Sequence, residues 1–260
     1  MDARRLPARH GVLWLLAGFA LFRRHPPLMT ALTFGYLLTV IVVNLIPKIG
    51  PFLLPLLLPT LTVLLANGSR AIERGQTFDG NTLGFGISAQ RVGLLRLGGL
   101  HLVGSSLLVL GGAALGEPIN ISDGMDQEEA LALATDLGIL LVLASPLLMA
   151  FWFAPLLTAW NGVGAGKSLF FSFVASWRNW RAFAMYGLAL ALVGALVPGL
   201  ILIVAGLLSQ TLLDILSVAL RMLLIFVLAP TMVASVYLSY RDVFAAPVTV
   251  PASVPAQADE

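Results

Sequence analysis

The chain contains no cysteine among its 260 residues. Disulfides, thiol nucleophiles and thiolate metal sites are therefore excluded. Charge is also scarce, because Asp, Glu, Lys and Arg make up 11% of the chain, against roughly 25% in a soluble domain. No soluble domain of useful size remains once the apolar runs are set aside. The membrane-embedded part is therefore expected to be the domain itself.

Hydrophobic residues make up 58% of the chain and lie in long runs. Each of six runs is long enough to cross a hydrocarbon layer of about 30 Å as a helix. The sequence thus predicts an all-α, polytopic membrane helical bundle with six transmembrane helices plus interfacial amphipathic helices. The predicted spans are about 28–46, 51–67, 92–115, 128–160, 182–207 and 210–240. Pro146 and Pro155 predict kinks in the fourth span.

Basic residues indicate the orientation of these spans. All Lys and Arg residues except Lys48 and Arg221 fall on one predicted side, and such an excess marks the cytoplasm. The sequence predicts a multi-pass protein of the bacterial inner (cytoplasmic) membrane, with cytoplasmic N- and C-termini and an outward-facing acidic segment at 116–129. Residues 1–10 form the cytoplasmic N-terminus, 11–243 the membrane domain, and 244–260 a disordered cytoplasmic tail.

Two segments have the composition of interfacial helices. Residues 12–22 are apolar but too short to span, and the basic pair Arg23 and Arg24 follows them. Residues 166–186 carry an aromatic stripe on one helical face and small polar residues on the other, a pattern typical of a helix lying in a bilayer interface. The predicted interfacial anchors of both segments are Arg23, Arg24, Trp177, Arg178, Trp180 and Arg181.

The order of these elements suggests an internal repeat of helical hairpins. Each unit would hold a short interfacial segment, a span, and a second helix in which a proline precedes small polar residues, as at Pro59, Pro155 and Pro230. The predicted units are 10–75, 79–163 and 165–243. The alternative is that helical hairpins in lipid converge on similar sequences without a common origin.

Two motifs carry a resemblance to known proteins. Ile-Pro-x-x-Gly-Pro at residues 46–51 and Phe-Ser-Phe-x-x-Ser-Trp-Arg-Asn-Trp-Arg-Ala-Phe at residues 171–183 resemble a family of uncharacterised six-span bacterial inner-membrane proteins. That family has no established activity, so the resemblance implies a topology and no site. The chain is more loosely similar to the membrane domain attached to some glycerophosphodiester phosphodiesterases, but nothing in it corresponds to their catalytic barrel.

Residues 161–168 superficially resemble a phosphate-binding loop. That motif requires a glycine where this chain has Asn161, and it follows a strand, whereas this segment follows a predicted membrane helix. We therefore expect a flexible hinge with one interfacial lysine, Lys167, and no nucleotide or nucleic acid partner. No His and Glu pair stands at metal-ligand spacing, so neither a metal nor another cofactor is expected.

The best polar feature is a stripe on the last helix, formed by Gln210, Asp214, Ser217 and Arg221. A helix over 210–240 would be about 46 Å long, which exceeds the hydrocarbon thickness. The stripe is thus either ordinary surface outside the bilayer or the wall of a water-filled vestibule. In the second case Arg221 would dock an anionic ligand or lipid head group, with Asp214 and Asp136 as partners.

His101 is a further candidate for a ligand or lipid contact, because it lies within the third span. An intramembrane histidine can relay protons or bind a ligand, but it can also be a packed side chain hydrogen-bonded to a neighbouring helix. The candidate contact residues are therefore Arg221, Asp214 and His101.

The favoured functional hypothesis is a non-enzymatic component that acts through contacts with membrane lipids, other membrane proteins or further copies of itself. The alternative is a small transporter or channel subunit with an anionic-ligand site near Arg221, motivated by the repeat and the proline-containing helices. An intramembrane enzyme is not supported, because no Ser/His pair, paired carboxylates or metal spacing is present.

The predicted topology can be tested by labelling, since the chain has no cysteine of its own. A single cysteine replacing Arg74 should react with a membrane-impermeant maleimide only from the cytoplasmic side, and one replacing Glu117 only from the periplasmic side. Reaction of both cysteines from the same side would overturn the six-span topology.

Overall fold

A computed structural model describes residues 3–115 and 127–244 of the chain. The acidic segment at 116–126 and residues 245–260 of the predicted tail lie outside the described residues, and Phe244 belongs to the last helix. The described part is helical and contains twelve α-helices, α1 to α12 in chain order. Their bounds are His10–Phe22, Pro26–Asn44, Gly50–Arg74, Gly80–Leu83, Arg91–Leu115, Gln127–Trp152, Ala154–Asn161, Ala165–Arg178, Trp180–Ala191, Val197–Leu208, Gln210–Leu223 and Ala229–Phe244.

Six helical stretches are long and apolar enough to cross a membrane, which confirms the predicted fold class. Single π-helical turns, Leu192–Leu196 and Leu224–Leu228, join α9 to α10 and α11 to α12, so each of those pairs forms one long helix. The six stretches are Pro26–Asn44, Gly50–Arg74, Arg91–Gly112, Leu131–Asn161, Trp180–Leu208 and Gln210–Phe244.

The fourth span is broken rather than merely kinked. Helix α6 runs through Pro146 and ends at Trp152, and α7 begins at Ala154 with Pro155 in its first turn. At the break, the Phe153 N–H donates to Ser172 Oγ at 2.9 Å, and Ser172 Oγ donates to the Met149 carbonyl at 2.8 Å. A hydroxyl from α8 thus takes the place of the helical hydrogen bond between residues 149 and 153.

This contact determines which face of α8 is buried. A helix at a bilayer interface would turn its small polar face to water, but Ser168, Ser172 and Ser176 are buried against the protein. The aromatic side chains Phe170 and Trp177 face outward instead. The polar face is turned inward because the backbone groups at the α6–α7 break need hydrogen-bond partners that lipid cannot supply.

The predicted interfacial segment is also two helices rather than one, because α8 ends at Arg178 and α9 begins at Trp180. The residue between them, Asn179, is buried and binds the N-terminal segment. Its Oδ1 accepts the Leu6 N–H at 2.8 Å, and its Nδ2 donates to the Arg4 carbonyl at 2.9 Å.

Both described ends of the chain lie at one end of the bundle, because the Arg4 N–H also donates to the Val243 carbonyl at 2.9 Å. Helix α1 packs against α9 and α12, so the first helix closes on the last. The buried core lies at this same end and includes Trp14, Met29, Phe153 and Tyr186. We call this end of the bundle, where Arg4 and Val243 meet, the inner end.

Helices α3 and α5 make a close contact at Gly98. A Cβ at that position would lie 2.5 Å from the Leu56 carbonyl oxygen, so no larger residue fits without moving the backbone. The neighbouring Gly99 faces open space, where a Cβ would meet nothing within 4 Å. At the connection before α5, the Thr82 N–H donates to the Asp79 carboxylate at 2.8 Å, and this bond holds the pKa of Asp79 below its usual value.

The Gly98 contact predicts a difference between two adjacent substitutions. Gly98→Ala should destabilise the protein by about 1–3 kcal/mol, the usual cost of forcing a methyl group into a packed contact. Gly99→Ala should leave stability unchanged or slightly raise it, because alanine favours the helix. Thermal unfolding of both purified variants in the same detergent measures the difference, and equal midpoints would contradict the close contact.

Candidate functional site

A partly open cavity of about 360 Å³ lies between the spans. Most of its wall is apolar, and its polar groups come from Tyr36, Thr62 and His101. His101 lies ten residues into α5, and at 1.5 Å per residue this places the cavity about 15 Å from the inner end. That depth corresponds to the middle of the hydrocarbon layer. The apolar lining residues include Leu58, Leu147, Leu148, Phe151 and Val236.

His101 is held in this wall by contacts on two sides. Its ring packs on Phe151 with the centroids 4.6 Å apart. The backbone carbonyl of Pro55 lies close enough to interact with the imidazole. That carbonyl is free because Pro59, four residues later, has no N–H to donate to it. The Nδ1 atom of His101 is buried and has no hydrogen-bond partner among the described residues.

Arg221 and Asp214, the other predicted contact residues, lie elsewhere. They are exposed on α11, where Gln210 Nε2 donates to Asp214 Oδ1 at 3.1 Å and an Arg221 nitrogen donates to Ser217 Oγ at 3.3 Å. Neither Asp214 nor Asp136 forms an ion pair with Arg221 within the described residues. The structure therefore does not bring Arg221 and His101 into one site.

Arg221 is twenty residues before Arg241 at the inner end of the same long helix, which corresponds to about 30 Å. This distance is comparable to the hydrocarbon thickness, so the helix is long enough for either predicted placement of the polar stripe. The placement of the stripe outside the bilayer or along a vestibule stays a prediction. A role for these residues in ligand contact stays a prediction.

The predicted interfacial anchors are all exposed, and several are ordered by aromatic rings. The Arg23 guanidinium lies 5.7 Å from the Phe19 ring centroid, and that of Arg181 lies 5.6 Å from the Trp180 centroid. Trp177 stacks on Phe173 with the centroids 6.2 Å apart. Arg24 instead donates to the Glu73 carbonyl at 3.3 Å.

A polar cluster at the inner end was not anticipated from the sequence. Glu73 of α3 accepts hydrogen bonds from the Tyr237 hydroxyl and from the Arg241 guanidinium, both on α12. Arg241 also pairs with Asp242 at 2.8 Å, and Asp242 accepts from Trp14 Nε1 at 3.1 Å. These bonds join α1, α3 and α12 at the inner end.

A second set of bonds ties α3 to α7 through Asn67. Its Nδ2 donates to the Leu83 and Phe85 carbonyls at 2.7 and 2.9 Å, and its Oδ1 accepts from Trp160 Nε1 at 2.9 Å. The Arg70 guanidinium lies 5.3 Å from the Trp160 ring centroid. The three-residue spacing of Asn67, Arg70 and Glu73 places them near one face of α3 and could have indicated a polar contact there.

Comparison with known proteins yields one informative relative. A probable inner membrane protein of Burkholderia thailandensis is 37% identical to this chain over 204 residues, which cover 72% of the chain and 74% of the relative. This chain belongs to the same family. The family is one of multi-pass inner-membrane proteins, as the resemblance in the sequence predicted, and the relative's name carries no enzyme activity. No family model and no solved structure matches the chain.

The Asn67 contacts predict a loss of stability on truncation. Asn67→Ala leaves two backbone carbonyls and one indole N–H without their partner, and an unsatisfied buried group costs about 1–3 kcal/mol. We expect a lower midpoint of thermal unfolding in detergent than for the wild type. Asn81→Ala, at an exposed position on α4, is the matched control and should not change the midpoint. Equal midpoints for the two variants would contradict the bonding scheme.

Proposed function

We propose that the protein is a non-enzymatic, lipid-interacting component of the inner membrane that holds a mainly apolar chain in its central cavity. The observation that carries this proposal is the imidazole of His101, which lines a mainly apolar wall and whose Nδ1 has no partner among the described residues. A buried polar atom without a partner is unfavourable, and a ligand that supplies one hydrogen bond next to a long apolar portion would remove that cost.

The chemistry of the wall favours a lipid over a polar solute. Among the residues that the structure describes, no carboxylate, lysine or arginine lines the cavity, so a charged solute would find no counter-charge there. The volume of about 360 Å³ lies within the range of ligand pockets in proteins. A hydroxyl group fits His101 best, because a hydroxyl can both donate a hydrogen bond to an imidazole nitrogen and accept one from an imidazole N–H.

The lack of catalytic partners in the described part of the chain also supports a binding role. Within residues 3–115 and 127–244, no cluster of three His, Cys, Asp or Glu side chains could hold a metal ion. The described lining of the cavity holds no carboxylate that could act with His101 as an acid–base pair. The proposed partners are therefore membrane lipids, with other membrane proteins or further copies of the chain as additional contacts. The proposed orientation keeps the inner end in the cytoplasm, from the distribution of basic residues.

The alternative, a small transporter or channel subunit with an anionic-ligand site near Arg221, has less support. Arg221 lies outside the cavity, and its guanidinium contacts Ser217 of its own helix. Unchanged solute flux in liposomes containing Arg221→Ala would argue against a docking role for that side chain.

The cavity proposal predicts selective labelling by a photoreactive long-chain alcohol. This probe should crosslink peptides that contain Tyr36, His101 and Phe151 more strongly than a photoreactive alkane of the same length does. His101→Leu should reduce the preference for the alcohol by roughly two- to tenfold, which corresponds to one hydrogen bond. Mass spectrometry of the digested protein measures the labelled fraction.

Ser105→Ala is the matched control. It removes a polar group one turn further along α5, where the hydroxyl donates to the His101 carbonyl at 2.8 Å and does not line the cavity. It should retain the preference for the alcohol. Labelling spread evenly over the outer faces of the helices, or a preference unchanged in His101→Leu, would overturn the proposal.

A further inference from the structure

A second concave surface lies at the inner end, between α5 and the start of α8, and encloses about 730 Å³. Helix α5 contributes Arg96, Leu100 and Val103, and α8 contributes Lys167. We call this surface the Arg96 groove. On α5, Arg96 and Val103 share a face because seven residues make about two turns, and His101 lies nearly opposite because five residues at about 100° each rotate it by about 140° from Arg96. The groove is therefore separate from the central cavity.

The two sides of the groove are held together by a small buried cluster. Leu97 of α5, next to Arg96, packs with Ala154 of α7 and Ala165 of α8. Leu97 is completely buried in this cluster. Because Ala165 is two residues from Lys167, the cluster fixes the distance between the turn of α5 that bears Arg96 and the first turn of α8. The groove is thus formed by packed helices on both sides.

The charged side chains that line the groove are both positive. Arg96 and Lys167 are both exposed, and neither belongs to an ion pair within the described residues. The first turn of α8 adds to this charge, since the N–H groups there lack helical acceptors and carry the positive end of the helix dipole. Gly164 and Gly166 leave that backbone uncovered, because a Cβ at either position would meet nothing within 4 Å.

Along the groove, charged side chains are followed by apolar side chains, as the charged head group of a phospholipid is followed by its acyl chains. Arg96 and Lys167 lie nearest the inner end, and Leu100 and Val103 follow about 6 and 10 Å deeper along α5. Leu100 and Val103 are 43% and 57% exposed, so they continue the groove as a lipid-facing apolar surface. A free anion would use only the charged part, whereas a phospholipid would use both parts.

We propose that the Arg96 groove binds an anionic phospholipid, with its phosphate between Arg96 and Lys167 and one acyl chain along Leu100 and Val103. The glycine-rich turn before α8 is interpreted from the sequence as a flexible hinge. In this site it would line the position of the lipid head group. Gly162 there ends α7 in a left-handed conformation at φ 65°, and Gly164 begins α8 in an extended one. The end of α7 and the start of α8 therefore set the backbone conformation of this turn.

The test compares lipid retention by two double variants of equal charge. The full-length protein is purified from mixed vesicles of phosphatidylcholine and phosphatidylglycerol, and its retained lipids are quantified by mass spectrometry. In Arg96→Gln with Lys167→Gln, phosphatidylglycerol retention relative to phosphatidylcholine should fall roughly twenty- to thirtyfold, because each cation near a membrane surface contributes about fivefold. The control, Arg5→Gln with Arg9→Gln, removes two other exposed inner-end cations and should change this ratio much less.

A charge-preserving variant and a competition experiment distinguish a lipid site from general surface charge. Arg96→Lys with Lys167→Arg should keep the selectivity, because charge and reach are preserved. An equal loss in both glutamine double variants would show general surface electrostatics and would overturn the site. Displacement of phosphatidylglycerol by inorganic phosphate as effectively as by added phosphatidylglycerol would show an anion site only and would also overturn it. Labelling of the central cavity by the photoreactive alcohol should not change in these variants, so the two proposals can fail independently.

Discussion

The lack of hydrogen-bond partners in lipid is the constraint on which this architecture depends. Pro155 interrupts the fourth span, and Ser172 reaches from α8 to bond with both Met149 and Phe153 at the break. Without that hydroxyl, the Phe153 N–H would be left unpaired inside the protein, at a cost of about 1–3 kcal/mol, while the Met149 carbonyl would keep only the bond from Ser176 Oγ at 3.2 Å. The break positions Phe151 and Pro155 in the cavity wall, and the docked α8 forms one side of the Arg96 groove.

The same rule recurs across the inner half of the bundle. Asn67 bonds two carbonyls of the α4 region, Asn179 bonds the N-terminal segment, and Ser235 Oγ donates to the Trp14 carbonyl at 3.0 Å. Small polar side chains therefore join helices that apolar packing alone would leave free to slide in a bilayer. The opposite half contains few such bonds among the described residues, and none of the residues of α11 is buried. The helices that form both proposed lipid sites are thus joined mainly by hydrogen bonds in the inner half.

The spans could be predicted from the sequence because a hydrophobic run of sufficient length has few alternatives in a membrane protein. The break at Phe153 and the inward polar face of α8 could not, because both depend on a contact between helices that are separate in the sequence. His101 could be selected as a candidate from its depth alone, but its packing against Phe151 required the fold. Lys167 could be selected as a lipid-binding candidate only from the fold, because the fold places it in the same groove as Arg96. The threefold repeat stays a prediction.

The packing of α1 against α12 has a consequence for biogenesis. Helix α1 has its main partner in α12, which is synthesised more than 200 residues later, so the Trp14 to Asp242 bond and the Arg4 to Val243 bond can form only after α12 has been made. Until then the close contact of Gly18 with Thr231 and Ser235 is unmade, whereas the contact of Gly11 with Ala182 needs only α9. A chain that stops before α12 therefore leaves one side of α1 uncovered.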